Sequence, residues 1–472
     1  MSALSQLARR RADASSGLVL LVVCAGVVMA SLDLFIVNVA LPDMAGDLGT
    51  SSLSDLSWVL NAYAIVYAAL LLLFGRMAEG RSRELGFLLG LALFTAASAA
   101  CAAAASLEAL VAFRVLQAAG AALLTPTSLS LILATTAPER RHGAVRAWTA
   151  VGGAAAALGP VAGGLLVAAS WRWVFLVNVP IGLAALLVGW RRLPRVPGHD
   201  VPNPDAFGAL LATVGVGALT LGLVEGEHWG WTSGRTLTAL AVAVVALAGF
   251  VAHTLHHRNP LIEPSLFRAP AFRGASVAMV LFSMAFGAML LSIVLWMQDG
   301  WGWSALRTGL AIAPGPLMVP LFGLLVSGRL IARFGPGPVA GVGSALFAAG
   351  LAWQAVMIEA TPNYAEGVLA GMLATGVGVG LVLPTLMATA AGSLPPQAFA
   401  TGSAVVNTLR QVGLAIGVAV LVALLGTSPD LAAFRAGWWV FAGISLVSAV
   451  ATLVLLGRRR PALAAAPARV SA

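Results

Sequence analysis

The chain has 472 residues, of which 60% are hydrophobic and 10% are charged, and its formal net charge is +9. Soluble domains carry about 25% charged residues, so this composition excludes an ordinary soluble protein and indicates a multi-pass membrane protein. The positive charge does not indicate a nucleic-acid-binding protein, because the arginines are dispersed between hydrophobic stretches and form no single basic patch.

Apolar stretches long enough to cross a bilayer recur along the whole chain. A helix needs about 20 residues to span roughly 30 Å of hydrocarbon, and the sequence contains fourteen such stretches. We therefore predict an all-α membrane protein with fourteen transmembrane helices. The predicted spans are 18–40, 57–75, 85–105, 107–132, 146–169, 174–190, 206–224, 236–255, 273–297, 306–328, 337–358, 364–391, 402–426 and 434–457.

The distribution of arginines predicts how the chain is oriented in the membrane. The N-terminal tail, the even-numbered connections and the C-terminal tail carry most of the arginines, whereas the odd-numbered connections carry few arginines and several acids. The positive-inside rule then places both termini in the cytoplasm, and we expect the protein in the cytoplasmic membrane. The first apolar run is too long for the core of a signal peptide and lacks a small-residue cleavage site, so we expect it to remain as the first span.

Internal similarity divides the chain into two halves. Gly75–Arg81 follow the second span, and a related run, Gly328–Arg333, follows the tenth. Parallel repeats of this kind occur in transporters whose substrate site lies between the halves. The proline-rich and charged loop 191–205 closes the first half. We predict an N-terminal tail (1–17), an N-terminal six-helix bundle (18–190), a linker with two extra spans (191–272), a C-terminal six-helix bundle (273–457) and a C-terminal tail (458–472).

Three charged residues, Asp33, Arg114 and Arg410, lie well within predicted spans. Each costs roughly 2.5–3.5 kcal/mol on insertion scales, so each needs a reason to be there. Asp33 lies seven residues before the end of the first span and Arg114 seven residues after the start of the fourth, which puts both about 10 Å below the same membrane surface. We predict that the two residues pair, that Asp33 carries a proton, and that Gln117, one turn from Arg114, orients the guanidinium. A purely structural ion pair is the alternative.

The fifth span carries a run of small residues and proline that includes Gly152, Gly159, Pro160, Gly163 and Gly164. Glycines spaced by four let two membrane helices approach closely, and a proline removes a backbone donor and bends its helix. We predict a bend beside the proton site, with tight packing that seals the outer path against proton leak. Ordinary helix packing is the alternative.

Several runs resemble signatures of a known transporter family. They are Leu32–Pro42, Arg114–Ala122, Gly152–Gly164, Trp171–Gly182 and Asn407–Gly413, and together they resemble the fourteen-helix drug:proton antiporter family of the major facilitator superfamily. The resemblance implies a major facilitator fold of two six-helix bundles plus two intervening helices. It also implies export of amphipathic drugs or antibiotics, with the proton gradient as energy source and no cofactor.

The same resemblance implies a cytoplasmic gate after the second span. Its residues here are Gly75, Arg76, Glu79 and Arg83. The family has an aspartate where Glu79 stands and a glycine where Ser82 stands. The negative charge of the gate is therefore retained, whereas its turn differs from the family pattern.

Three further polar residues, Asn38, Arg410 and Gln411, are predicted either to contact substrate or to have a structural role. Arg410 could meet an anionic group. Relatives that handle organic cations carry another acid around the tenth span, and 306–328 contains none. The sequence therefore favours neutral, zwitterionic, anionic or weakly cationic substrates.

Other functional classes find less support in the sequence. A proton-coupled or facilitative transporter of a small metabolite on the same fold is the alternative function, whereas an enzyme is not predicted, because no catalytic constellation or nucleotide-binding loop is recognisable. His253, His256 and His257 are expected to form a solvated face with no carboxylate beside them, and Cys24 and Cys101 to be small core residues, so no metal site is predicted. We expect a monomer whose partners are the lipid bilayer and a small amphipathic substrate, with no nucleic acid.

Overall fold

The computed structural model describes residues 3–50, 52–80, 82–136, 138–196, 205–394, 399–426 and 429–457. All the regular elements in these ranges are helices, which confirms the predicted all-α membrane fold. We number them α1 to α14 along the chain. Their bounds are Ala3–Leu48 (α1), Leu53–Gly80 (α2), Arg83–Ala102 (α3), Leu107–Thr135 (α4), Pro138–Val167 (α5), Asn178–Arg192 (α6), Ala206–Val224 (α7), Gly234–His256 (α8), Pro270–Leu295 (α9), the pieces Ala305–Ile312, Pro314–Pro320 and Ser327–Phe334 (together α10), Pro336–Met357 (α11), Ala370–Gly392 (α12), Phe399–Leu425 (α13) and Leu431–Leu456 (α14).

Thirteen helices of the described chain are long and apolar enough to cross a membrane. The remaining predicted span, 146–169, falls in α5, a helix of 30 residues in which the stretch Leu158–Val167 is apolar. The helices often extend beyond the apolar runs. α1, for example, already begins at Ala3, within the segment predicted as a tail.

The tenth span is broken, although the sequence pattern predicted one continuous segment. Pro314, Pro316 and Pro320 fall in its middle, and a wide turn of π type, Leu321–Val326, separates two of its pieces. A proline lacks the amide hydrogen and clashes with the preceding turn, which interrupts the regular hydrogen-bond ladder. Further π turns follow α9 and precede α12, at Trp296–Gly300 and Tyr364–Leu369.

The helices form two bundles, and two pairs of helices join one bundle to the other. In the first bundle α1 packs on α4, α5 and α6, and in the second α9 packs on α12, α13 and α14. The bundles meet where α2 packs on α13 and where α5 packs on α10. The extra helices α7 and α8 pair with each other, and α7 also packs on α2 and α13. The intervening pair therefore contacts both bundles.

The end of the molecule at which α1 ends and α2 begins is closed between the bundles. We call it the odd-connection end, because the odd-numbered connections lie there. Gln298 Nε2, just after α9, donates to the carbonyl oxygen of Val39 on α1 at 3.0 Å. A Cβ atom built on Gly164 of α5 would lie 2.7 Å from the carbonyl oxygen of Ala305 on α10. The backbones of α5 and α10 therefore touch, and this closure separates the centre of the molecule from the odd-connection end.

Candidate functional site

A buried ion pair joins α1 to α4. Arg114 Nη1 lies 2.5 Å from Asp33 Oδ2, and neither side chain is more than 1% exposed. The same guanidinium nitrogen donates to Gln117 Oε1 at 2.7 Å. The structure therefore brings together the three residues that the sequence predicted as the proton site. Burying two charges is unfavourable unless they are paired and hydrogen-bonded, and this pair satisfies both conditions.

Side chains from two more helices complete the hydrogen bonding around Asp33. Gln117 Nε2 donates to Asp33 Oδ1 at 2.7 Å and to Ser98 Oγ of α3 at 2.9 Å, and Asn178 Nδ2 of α6 lies 3.4 Å from Asp33 Oδ1. Gln117 therefore contacts both ions, whereas the sequence predicted only that it orients the guanidinium. Cys101, predicted as a core residue, is buried and lies 3.8 Å from Gln117 Oε1.

α2 and the short helix Trp173–Leu176, which precedes α6, supply the remaining contacts of Arg114. Arg114 Nε donates to the carbonyl oxygen of Val59 at 3.1 Å. The guanidinium carbon lies 4.2 Å from the centre of the Tyr63 ring and 5.8 Å from that of Phe175. An aromatic face attracts a guanidinium most strongly where water is excluded. Sequence reasoning missed Tyr63, Ser98 and Asn178, and the only signal for them was a polar or aromatic residue within an apolar span.

A small cavity of about 40 Å³ lies between the two bundles, and Arg114 forms part of its wall. Residues of α1, α2, α9 and α13 line the rest, including Phe35, Asn38 and Asn61. A site needs about 10–15 Å³ to hold one water, so this cavity is large enough for one to a few waters. Asn38 lies here, as a substrate-contacting residue would, although its amide nitrogen also reaches the carbonyl oxygen of Leu34 on its own helix at 3.4 Å. Asn61 Oδ1 is buried without a hydrogen-bond donor.

The glycines of α5 face two different helices. A Cβ on Gly152 would lie 3.1 Å from Val27 Cγ1, one on Gly159 2.8 Å from Phe35 Cβ, and one on Gly163 3.0 Å from the carbonyl oxygen of Ile36, all on α1.

The other side of α5 faces the opposite bundle. Gly164 contacts the start of α10, and the carbonyl oxygen of Pro160 contacts Gly309. The helix assignment continues unbroken through Pro160. The run therefore packs α5 between α1 and α10, which makes it part of the closure. That it seals a proton path stays a prediction.

The predicted cytoplasmic gate lies partly outside the described side chains. Gly75, Arg76 and Glu79 fall in the last turns of α2, where the structure describes the helix but not these side chains. Arg83 begins α3, and its amide nitrogen donates to the carbonyl oxygen of Val196 at 3.0 Å. Glu84 in turn accepts a hydrogen bond from the amide of Val196 at 2.8 Å. The segment that follows α6 is thus tied to the connection between α2 and α3, a contact that no motif predicted.

The second intramembrane arginine has a very different environment. Arg410 Nε is buried and has no hydrogen-bond partner, and the same is true of the Oε1 atom of its neighbour Gln411. Within the described chain, the ion pairs do not include Arg410. That Arg410 and Gln411 contact substrate or have a structural role stays a prediction.

The expectation of a solvated histidine face without a carboxylate is wrong. His253 Nε2 lies 2.9 Å from Asp205 Oδ1, and one ligand atom from each of Asp205, His253 and His257 lies within 4.8 Å of the others. The carboxylate also accepts from the amides of Gly208 at 2.7 Å and Leu261 at 2.9 Å. Its oxygens are already occupied, so this group is a cap for α7 that also fixes the end of α8.

Electrostatics support this structural interpretation of Asp205. Partial burial raises the pKa of its carboxyl group, but the hydrogen bonds from the Gly208 amide, His253 and the Leu261 amide outweigh burial, so its pKa lies below the ordinary value. Glu225 at the other end of α7 shows the opposite balance. Burial raises its pKa, and the hydrogen bond from Trp58 of α2 offsets only part of that effect. Both ends of the extra helix α7 are therefore held by carboxylates.

Comparison with known proteins identifies the family. A sequence profile described as "Major Facilitator Superfamily" matches residues 23–318 and 275–471. The chain is similar to a methylenomycin A resistance protein of Streptomyces coelicolor, with 32% identity over 98% of this chain and 95% of the relative. It is 35% identical to a tetracenomycin C resistance and export protein of Streptomyces glaucescens, over 86% of this chain and 76% of that protein.

Two further similarities agree with this result. The multidrug export protein EmrB of Haemophilus influenzae is 34% identical over 82% of this chain and 76% of its own length. A solved structure described as an auto-inhibited peptide transporter of the POT family superposes with a TM-score of 0.67 at 18% identity, covering 95% of this chain and 99% of its own. At that identity the superposition shows a shared fold alone. The chain therefore belongs to the major facilitator superfamily and, within it, to the drug:proton antiporter family.

Proposed function

We propose that this protein exports small amphipathic antibiotics or drugs across the cell membrane in exchange for protons, with both termini in the cytoplasm. The observation that carries the proposal is the buried Asp33, held by Gln117 and by Arg114, which itself lines a cavity between the two bundles. An ionisable residue inside a membrane protein is by default a functional candidate. The names of the relatives, which include antibiotic resistance and export proteins, support efflux as the direction of transport.

Protonation of Asp33 removes the charge that Arg114 pairs with. The neutral acid no longer compensates the buried guanidinium, and the contact that joins α1 to α4 weakens. Removing one member of a buried pair typically costs about 3–5 kcal/mol, which is enough to shift a conformational equilibrium by two to three decades. A proton on Asp33 can therefore select between two arrangements of the first bundle.

The packing of α1 offers a route from Asp33 to the closure at the odd-connection end. Phe35 and Ile36, close to Asp33 on α1, contact Gly159 and Gly163 of α5. The opposite side of α5 contacts α10 through Gly164. A shift of α1 on protonation would therefore reach the contact between the bundles through rigid backbone packing, with no flexible side chain between them.

The proton gradient supplies enough energy for useful export. One proton that enters across roughly 150 mV releases about 3.5 kcal/mol, at about 2.3 kcal/mol for each 100 mV. At about 1.4 kcal/mol per decade, this sustains a substrate gradient of two to three decades.

Transport into everted membrane vesicles tests the proposal. Vesicles that contain the wild type should accumulate tetracenomycin C or methylenomycin A when respiration is energised, and a protonophore should abolish accumulation. Asp33→Asn should accumulate neither compound above passive equilibrium. Asp43→Asn is the matched control, because Asp43 lies on the same helix but is exposed.

Three outcomes would contradict the proposal. They are no energised accumulation of either compound by the wild type, normal uphill accumulation by Asp33→Asn, and uptake in right-side-out vesicles in place of everted ones. The last result would favour the alternative of an uptake transporter on the same fold.

A further inference from the structure

Arg410 is a half-buried cation that no acid of the described chain neutralises. It lies on α13, where that helix packs on α2 of the opposite bundle. Its Nε atom is enclosed and lacks a partner, and within the described ranges no carboxylate lies within ion-pairing distance of its guanidinium. A guanidinium in a membrane protein that is not neutralised by an acid of its own chain invites an anion from outside the chain.

Polar side chains of α2 and α13 lie around Arg410. Tyr67 of α2 lies beside it, and the side chain of Asn407, one turn earlier on α13, lies at the Tyr67 hydroxyl. The Thr408 hydroxyl donates to the carbonyl oxygen of Ala68 at 3.2 Å, which fixes α13 against α2 at this level. Thr125 donates its hydroxyl proton to the carbonyl oxygen of Ala121 at 2.9 Å, so the Tyr67 hydroxyl donates to Thr125 Oγ1 at 3.0 Å. The guanidinium and the Asn407 carboxamide are therefore the donors that can meet a ligand, and a guanidinium binds a carboxylate through two parallel hydrogen bonds.

This cluster lies one helical turn from the cavity between the bundles. Arg410 precedes Leu414 by four residues on α13, and Tyr67 follows Ala64 by three on α2; Leu414 and Ala64 both line the cavity. Residues three or four apart share one face of a helix. Most of the cavity wall is apolar and includes Phe35, whose ring lies 6.1 Å from that of Phe286. A polar cluster beside apolar and aromatic side chains matches a molecule with one charged end and one apolar body.

We infer that Arg410, assisted by Asn407, binds the anionic group of the transported molecule, so that the preferred substrates are amphipathic organic acids. This inference rests on the proposed export function and deepens it by naming the substrate class. The guanidinium of Arg410 takes the carboxylate. The apolar body needs a wider space between the bundles than this arrangement offers, because the cavity of about 40 Å³ is large enough only for water.

Two stacked tyrosines connect this site to the proton site. The Tyr63 and Tyr67 rings are 5.8 Å apart and nearly parallel, at 9°, and Tyr63 also lies under the guanidinium of Arg114, at 4.2 Å. The acid and the proton therefore occupy neighbouring sites and do not compete for one group. The bound acid and the proton exclude each other because they favour different conformations of the protein. A neutral residue at position 33 therefore leaves acid binding intact.

Equilibrium binding to the purified full-length protein tests the inference. The probes are two fluorescent acids and their neutral amides, dansylglycine with dansylglycinamide and 1-pyrenebutyric acid with 1-pyrenebutyramide. The wild type should bind each acid at least tenfold more tightly than its amide. Arg410→Gln should weaken acid binding by about 10- to 100-fold, the worth of a charge-assisted hydrogen bond, and leave amide binding unchanged.

Two further variants control for charge and for folding. Arg410→Lys keeps the charge but loses the bidentate geometry, so it should retain part of the preference for the acid. Arg307→Gln removes an arginine that stacks on Trp303 near the start of α10 and should bind both probes like the wild type. Should Arg410→Gln fail to fold, the comparison of acid with amide in the wild type and in Arg410→Lys still decides the question.

The inference is overturned if the wild type binds acid and amide equally, if it binds neither acid, or if folded Arg410→Gln keeps the acid preference. Its failure is distinguishable from failure of the proposed function. Acid-selective binding without proton-driven transport by the wild type would contradict export alone. Proton-driven transport without any preference for acids would contradict the role of Arg410 alone, and we expect Asp33→Asn to keep acid binding while it loses transport.

Discussion

The two arginines inside the membrane-spanning helices, Arg114 and Arg410, differ in how their charges are compensated. Arg114 has a carboxylate at 2.5 Å, a glutamine, a backbone carbonyl and an aromatic face around it. Arg410 has a buried Nε without a partner. Both carry a similar insertion cost of roughly 2.5–3.5 kcal/mol. The first bundle offsets this cost within the chain, whereas we propose that in the second a bound anion offsets it.

We propose that the two bundles have different tasks. The closed network of Asp33 and Arg114 would respond to a proton, because one proton removes one of its two charges. The open site at Arg410 would respond to an anionic molecule. The bundles meet at α2 and α13, and Tyr63 and Tyr67 lie there between the two arginines. A structural change at either arginine would therefore reach the interface between the bundles.

The largest effect is expected when one member of the buried ion pair is removed. Asp33→Ala leaves Arg114 buried and unpaired, and we expect it to lower the free energy of unfolding in detergent by about 3–5 kcal/mol. The double variant Asp33→Leu/Arg114→Met should recover most of that loss, because well-packed apolar residues can replace a buried ion pair, yet it should remain inactive in transport. Equal stability of Asp33→Ala and wild type would contradict the closed network.

A smaller effect is expected at the closure that separates both arginines from the odd-connection end. Gly309→Ala places a methyl group against the carbonyl oxygen of Pro160, and overpacking of this kind costs about 1–3 kcal/mol. In a background without Cys24 and Cys101, alkylation of Asn38→Cys from that end should rise about tenfold, which corresponds to about 1.4 kcal/mol. Gly302→Ala is an unsuitable control because its φ of 66° strains any side chain, so Gly443→Ala, with open space around it, serves instead. Unchanged alkylation of Gly309→Ala would show that α5 and α10 do not form the closure.

The saturated carboxylate of Asp205 extends the comparison to a charge outside the membrane spans. Its pKa lies below the ordinary value in the folded protein, so its contribution to stability is present above the unfolded pKa of about 3.9 and is lost as the pH falls through the lower folded value. We expect hydrogen-exchange protection of α7 and α8 to be constant from pH 8 to about 5 and to fall below about 4. Asp205→Asn should remove this acid dependence and cost at least about 1 kcal/mol, because one acceptor oxygen becomes a donor and leaves the amide of Gly208 or Leu261 without its acceptor. If hydrogen-exchange protection of α7 and α8 still falls at low pH in Asp205→Asn, another group causes the acid dependence.

The smallest effect on stability is expected where the site is open. Arg410→Gln removes a charge that has no partner among the described residues, so the free energy of unfolding should change by less than about 0.5 kcal/mol or rise. Thermal unfolding in detergent, with Asp33→Ala as the contrasting variant, measures this difference. A loss comparable with that of Asp33→Ala would mean that Arg410 is a structural residue.

The sequence predicted the closed pair better than its surroundings. Asp33 and Arg114 stand out because charges within apolar spans are rare, and their equal depth followed from counting residues. Ser98 and Asn178 carry no charge, and neutral polar residues occur in many membrane helices, so only packing shows which of them point at Asp33. Three prolines indicated the break in α10, but the segment is apolar throughout, so the sequence predicted one continuous span.

The sequence did not predict contacts between residues that are distant along the chain. The pairing of Asp205 with His253 joins residues 48 positions apart, one of them in a loop whose path the sequence does not reveal. The interface between the bundles shows the same limit. The glycines of α5 predicted close packing, but only the folded chain shows that Gly159 and Gly163 face α1 while Gly164 faces α10.

Proton movement driven by substrate tests the central claim most directly. Proteoliposomes are loaded with the compound that everted vesicles accumulate best and are diluted into compound-free buffer, while a dye inside the vesicles reports the internal pH. As the compound leaves through the wild type, protons should enter and acidify the interior, whereas Asp33→Asn should show no acidification beyond that of protein-free liposomes. Acidification by Asp33→Asn at the wild-type rate, or efflux from wild-type vesicles without any acidification, would contradict proton exchange at the Asp33 and Arg114 pair.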